Sequence, residues 1–192
     1  MKIIIQGLPG SGKSTQGQII AEQYQIPHIS IGEKVKQYLE QDTDIGHKLK
    51  DYFASSQKWQ PLSDELIKEV VELSLKDLIN PDNWVIDGYP RNIKQAEEME
   101  IKPDLIISLD TNEEEIIKRM INRKRQDDNP EIITQRLETE KQRFKPLENY
   151  LQEKFKFCTI DGNSNITDIK NEVEAITKKE CQLPPKQEYK FK

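Results

Sequence analysis

Gly7-Leu8-Pro9-Gly10-Ser11-Gly12-Lys13-Ser14-Thr15 is the stretch whose reading decides the fold. An apolar run, Ile3-Ile4-Ile5, leads into it, and a helical pattern follows from Gln16 to Tyr24. Strand, glycine loop, helix, with G-x-x-x-x-G-K-S at the turn, spells a phosphate-binding loop. The glycines let successive N–H groups point inward at the positive end of a helix dipole, where a polyphosphate sits. Gly10, Ser11, Gly12, Lys13, Ser14 and Thr15 are the expected contacts. Lys13 reaches the outer phosphates, and Ser14 offers its hydroxyl to Mg²⁺.

The rest of the chain repeats the alternation that the loop begins. Strands are predicted over 2–6, 27–30, 84–87, 105–110 and 157–161. Helical patterns run over 13–24, 33–41, 64–79, 92–99, 112–122, 130–155 and 165–178. Short apolar strands alternating with helices predict an α/β, three-layer P-loop fold, with a five-stranded parallel sheet between helices. Ligands in such sheets bind beyond the C-terminal strand ends. Polar residues do follow those ends at 7–14, 30–32, 87–91 and 161–162. Two stretches exceed a minimal relay, the mostly helical 31–72 and the polar hinge from Arg123 to Pro130. Both are candidate moving elements, because closure over a reactive phosphate excludes water.

Composition narrows the function classes. The 192 residues suit one domain, and a net charge of −5 argues against nonspecific nucleic-acid binding. No apolar run approaches membrane-spanning length, and with the first strand at the N-terminus no signal peptide is expected. Cys158 and Cys181 are too few for a disulfide framework or a four-cysteine zinc site, so a reduced, cytoplasmic setting is expected. His28 reads as strand-end structure and His47 as surface. Residues 181–192, with Pro184-Pro185, read as a loose tail.

Asp87-Gly88-Tyr89-Pro90-Arg91 follows the third strand. A carboxylate there lies beside the phosphate loop and can hold Mg²⁺ through its water shell. Gly88 permits close backbone approach, and Arg91 offers a planar fork to a phosphate. Arg119 and Arg123 stand one helical turn apart.

In order and spacing, 7–15, Ile29-Ser30-Ile31-Gly32-Glu33, Asp64-Glu65-Leu66, Asp87 to Arg91 with Gln95, and Arg125-Gln126-Asp127-Asp128 before Arg136-Leu137 resemble the adenylate kinase branch of the nucleoside monophosphate kinases. The resemblance runs from residue 1 to about residue 178. It implies reversible γ-phosphoryl transfer from ATP·Mg²⁺ to AMP, giving two ADP, within a single kinase domain over 1–180. It implies a core of 1–30, 73–122 and 137–180, a monophosphate-binding segment over 31–72 and a short lid over 123–136. Arg91 matches the arginine that holds the monophosphate, Gln95 the glutamine that reads the adenine edge, and Leu62 the stretch lining that base pocket. Arg119 matches a residue that packs on the ATP base. Arg123, Arg125 and Arg136 match lid arginines that close on the transferring group, with Asp127 and Asp128 orienting them. Gly162 and Asn163 match the turn that presents backbone to the ATP adenine. Long-lid relatives carry four zinc-binding cysteines, whereas 119–140 here holds neither cysteine nor histidine, so no zinc is expected. A monomer is expected as well.

The pattern is broken in places. The family usually shows Thr-Gly-Asp-x-x-Arg where this chain has Ile31-Gly32-Glu33-Lys34-Val35-Lys36. Lys36 keeps the charge of that monophosphate-gripping arginine but loses its fork. Ser14 stands where adenylate kinases commonly have glycine. Asn92, directly after Arg91, resembles the uridylate–cytidylate kinases, while Gln95 points back to AMP. A pyrimidine monophosphate kinase and a catalytically weak nucleotide-binding relative therefore stay open beside the leading expectation.

Overall fold

The computed structural model describes residues 1–55, 61–123 and 130–181. In chain order the elements are β1 (Lys2–Gly7), α1 (Lys13–Tyr24), β2 (His28–Ser30), α2 (Ile31–Leu39), α3 (Asp44–Ser55), α4 (Asp64–Lys76), β3 (Trp84–Asp87), α5 (Ile93–Glu97), β4 (Leu105–Asp110), α6 (Glu113–Asn122), α7 (Pro130–Lys154), β5 (Phe157–Asp161) and α8 (Ile166–Glu180). The five strands form one parallel sheet in the order β2-β3-β1-β4-β5. The α/β fold and its five parallel strands are as the alternation predicts.

Period-two alternation sorts the side chains of β1 between two layers. Ile4, with Ile29, Ile86 and Ile106, packs under α2, α3 and α4 and against Leu147 and Leu151 of α7. Ile3 and Ile5, with Val85, Leu105 and Ile107, pack against Ile20 of α1 and Ile169 and Val173 of α8. Burial on both faces explains why the strands read as unbroken apolar runs. A third cluster, Ile116, Met120, Ile133 and Leu137 with Leu8, ties α6 and α7 to the glycine loop.

β1 lies between β3 and β4, which the chain reaches by crossovers in opposite directions. Such a reversal opens a crevice at the C-terminal end of the central strand. Gly7 pairs with Leu109 there, and Ile5 and Ser30 both pair with Asp87, so every predicted polar cluster ends on one edge.

Helices α3 and α4 differ from their sequence reading, and α2 starts and ends two residues earlier than the predicted 33–41. Helix α3 lies within the mostly helical 31–72 but has no predicted helical run of its own there, because Gly46 and Thr43 look like turn residues. A Cβ on Gly46 would sit 2.5 Å from the Gln41 carbonyl and 2.6 Å from that of Tyr38. The glycine is what lets α3 pack closely on the end of α2. Helix α4 stops at Lys76 rather than 79, with Asp77 as its C-cap, short of Asn80-Pro81, where the residue before proline disfavours helix.

Candidate active site

The glycine loop is shaped by its contacts. Gly7, Gly10 and Gly12 have φ of 139°, 87° and 102°, which L side chains rarely adopt. A Cβ on Gly7 would meet the Leu109 carbonyl at 2.8 Å, and one on Gly10 would meet Met120 at the same distance. The loop is therefore seated directly on β4 and α6. Gly12 forms the N-cap of α1, so the N-terminal dipole of that helix opens at Lys13 and Ser14. Lys13 Nζ donates to the carbonyls of Gly7 (2.7 Å) and Leu8 (2.8 Å), which holds the ammonium across the loop. Burial lowers the Lys13 pKa from 10.5 to about 8. Asp87 and Glu140 oppose this, while the charges of Arg91 and Arg136 add to it. Arg91 and Arg136, from two other segments, thus stand close enough to Lys13 for their charges to act on it.

Asp87 is 4% exposed and makes three side-chain contacts. Its Oδ1 accepts from Ser14 (3.1 Å) and Ser30 (3.3 Å), and its Oδ2 lies 2.7 Å from His28 Nε2. Hard oxygen donors from Ser14 and Asp87 lie side by side, a donor set that suits Mg²⁺. The sequence marks Ser30 as a polar strand-end residue and His28 as strand-end structure, and links neither to Asp87. The signal was Gly17, since a glycine in a helix interior costs about 1 kcal/mol and calls for a reason. A Cβ at Gly17 would stand 2.5 Å from His28 Nε2. The glycine makes room for the imidazole that orients Asp87. His47 pairs with Asp42 on the surface, as its reading expects.

On the other wall, Gly88 (φ 83°) brings three predicted residues together. A Cβ there would lie 3.3 Å from Arg91 Nη2, 3.6 Å from Ile31 Cβ and 3.9 Å from the Gly32 nitrogen. Arg91 Nε donates to the Gly88 carbonyl at 2.8 Å. Ile31 is 0% exposed and belongs to the core cluster against which Leu62 packs, so its side chain is wall rather than polar contact. Lys36, with a side chain 54% exposed, pairs with Glu33 at 3.0 Å on the outer face of α2. Gln95 is buried, and its amide is held by Arg91 and Asp64.

Arg119 spans two segments. It donates to Glu115 (2.9 Å), to the Ser11 carbonyl (3.2 Å) and to the Ser164 carbonyl (3.3 Å). This joins the glycine loop to the turn after β5. Gly162 sits against Thr111, where a Cβ would come within 2.1 Å of the hydroxyl, and Asn163 Oδ1 accepts from the Asn112 N–H at 2.8 Å. Arg123 is the exposed C-cap of α6. Thr15 is exposed in the first turn of α1. Arg136 lies in α7. Arg125, Asp127 and Asp128 lie outside the described residues. Among the described residues no helix is long and apolar enough to cross a membrane.

Comparison with known proteins shows the family. A family model described as adenylate kinase matches residues 5–156. The chain is similar to adenylate kinase 1 of Nostoc sp., 33% identical over 181 residues that cover 91% of this chain and 97% of that one. It is similar to the adenylate kinase of Trichodesmium erythraeum, 33% identical over 92% of this chain and 100% of the other. Similarity to the adenylate kinase 1 of Synechocystis sp. is 34% identity over 92% and 96%.

Proposed function

The chain belongs to the adenylate kinase family, the phosphotransferases that act on nucleoside monophosphates, and from that premise we propose that it moves the γ-phosphoryl group of ATP·Mg²⁺ reversibly to AMP, giving two ADP. The observation that carries the residue assignments is Lys13, held across the glycine loop on the Gly7 and Leu8 carbonyls, with the charges of Arg91 and Arg136 both acting on it. A phosphoryl transition state spreads negative charge over oxygens and leaves little covalent work, so catalysis is positioning plus preorganised positive charge. An oxygen of the AMP phosphate attacks the γ-phosphorus as the bond to the ADP bridging oxygen breaks.

In this reading the loop from Gly10 to Thr15 and Lys13 hold the donor phosphates. Arg119, Gly162 and Asn163 line the ATP base. Gly88, Arg91, Gln95, Ile31, Gly32 and Leu62 bound the acceptor, with Lys36 as the further cation of the monophosphate-binding segment 31–72. Arg123, Arg125 and Arg136 belong to a short lid over 123–136, without zinc. Ser14 and Asp87 would hold Mg²⁺, which would neutralise charge on the donor phosphates. Among the described residues the large exposed apolar side chains are Phe53, Ile79, Ile121 and Ile166, which supports a monomer, and the free thiols of Cys158 and Cys181 support a cytoplasmic setting.

An acceptor panel tests the assignment. With ATP·Mg²⁺ and AMP, UMP, CMP or GMP in turn, kcat/KM for AMP is expected to exceed that for the others by about 10²-fold or more, the scale open to a site that hydrogen-bonds its substrate. No turnover with AMP sinks the proposal.

The donor side carries a pH signature. A Lys13 pKa of about 8 means that the free protein loses this ammonium between pH 7 and 9. Titrating ATP in EDTA, which keeps the metal's own linkage out, should show the ATP Kd constant near pH 7 and about tenfold higher by pH 9, the one-unit limit for a single lost proton. The stability linkage has the opposite sign. Because the folded pKa lies below the unfolded 10.5, the folded state carries fewer protons between pH 8 and 10.5, and the Lys13 contribution to stability rises there. Flat ATP affinity up to pH 9.5 would contradict the role given to Lys13.

A further inference from the structure

The base-reading residue of the acceptor site is not free to choose its own orientation. Gln95 Nε2 donates to Asp64 Oδ1 at 2.8 Å, and Gln95 Oε1 accepts from the Arg91 backbone N–H at 2.7 Å. A carboxylate only accepts and a backbone N–H only donates, so the amide has one permitted orientation. Turning it over would set Oε1 against the Asp64 carboxylate and Nε2 against a donor. Gln95 is 5% exposed, so neither mismatch could be relieved by solvent.

Asp64 is itself fixed. It begins α4, whose N-cap Ser63 accepts from the Leu66 N–H, and helix-start dipoles favour a carboxylate there. Its Oδ1 also accepts from Asn92 Nδ2 at 2.8 Å, and Lys94 Nζ lies 3.7 Å from Oδ2. Burial pushes the Asp64 pKa up, but the hydrogen bonds from Asn92 and Gln95 and the charge of Lys94 outweigh it, and the group lies below its ordinary value. It is a carboxylate wherever the enzyme works. Asn92 in turn caps α5 by accepting from the Gln95 N–H at 2.8 Å. The asparagine that looked like a pyrimidine signature therefore has another task, which is to hold the helix start that carries Gln95 and the carboxylate that orients it.

We propose that Asp64 is a positioning residue for base selection: by holding the Gln95 amide in one orientation, it admits a base edge with an exocyclic amino group beside a ring acceptor and rejects the reversed edge with an exocyclic oxygen beside a ring N–H. The inference rests on the proposed role of Gln95 at the acceptor base. After its anchors are met, the amide has one Nε2 hydrogen and one Oε1 lone pair left, in fixed order. Adenine matches that order, and guanine, of the same size, reverses it. Rejection works because the wrong base leaves buried polar groups mismatched, not because it fails to fit by volume.

AMP and GMP are accordingly the probes. In Asp64→Leu, of similar size but unable to accept, the amide is free to turn. The AMP-over-GMP ratio of kcat/KM is expected to fall about tenfold or more, as expected when one hydrogen-bonded discrimination is lost. Asp64→Asn, whose Oδ1 still accepts from Gln95 and Asn92, should restore the ratio to within about threefold of wild type. A purely structural Asp64 would lower both rates together, and a ratio within about twofold of wild type in Asp64→Leu overturns the inference whatever the rates do. If Asp64→Leu does not fold, Asp64→Ser, too short to reach the amide, carries the same test. The wild-type panel separates the two levels: AMP preference in wild type with an unchanged ratio in the variant defeats the role of Asp64 alone, and a wild type that turns over no monophosphate defeats both.

Discussion

Lys13→Met is expected to lower kcat with ATP and AMP by on the order of 10³-fold, the worth of a preorganised cation at a transferring phosphoryl group. The length and apolar stem of the lysine are kept, so the effect isolates the ammonium. That ammonium sits across the glycine loop on the carbonyls of Gly7 and Leu8 and shares its surroundings with Asp87, Arg91 and Arg136. Nothing else in the loop carries positive charge, since Gly7, Leu8, Pro9, Gly10, Ser11, Gly12, Ser14 and Thr15 are all neutral. Folding should survive. Two hydrogen bonds to carbonyls are lost, but so is the burial of a charge that the protein destabilises enough to depress its pKa to about 8. These oppose each other, and the melting temperature is expected to stay within a few degrees of wild type. The fall in ATP affinity above pH 8 should vanish with the lysine. A variant that keeps more than a tenth of the wild-type rate, or that keeps the pH limb, would remove Lys13 from the donor site.

The glycine loop was legible because its chemistry is local: strand, turn and helix follow one another within 24 residues, and each glycine answers a backbone need. The sheet was legible for a similar reason, because strands buried on both faces read as short apolar runs. What was not legible depends on pairs of residues far apart in the chain. His28 looks like an ordinary strand residue until β2 and β3 are set side by side, when its ring meets Asp87 at 2.7 Å. Gly17 looks like a weak helix position until that ring needs its space. Asp64 looks like a helix-start acid until α4 and α5 come together, 31 residues apart in sequence, on the Gln95 amide. Asn92 pointed toward pyrimidines by resemblance, whereas its contacts are a helix cap and Asp64. Ile31 and Lys36, the departures that kept the acceptor open, come apart in the structure: one is core, the other surface.

Arg91→Ala is expected to act on the opposite substrate. The Arg91 guanidinium is anchored by Nε to the Gly88 carbonyl and lies on the open face of a glycine that no side chain can occupy without strain. It belongs to the acceptor wall, so its loss should raise the AMP KM and lower kcat, together reducing kcat/KM by about 10³-fold, as when a charge-assisted contact to a phosphate is removed from both ground and transition state. ATP binding alone should change by less than about threefold, because the donor loop keeps its lysine and its helix dipole. The backbone N–H of residue 91 remains, so the Gln95 amide keeps its anchor and the preference of AMP over GMP should persist at the lower rate. Arg91→Lys should recover only part of the loss, since lysine keeps the charge without the planar fork. One further consequence ties the two walls together. The Arg91 charge helps to depress the Lys13 pKa, so removing it should move the pH limb of ATP binding upward, above pH 8. A limb that stays in place would mean that the two cations do not share one crevice, and the reading of that crevice as the seat of phosphoryl transfer would fail with it.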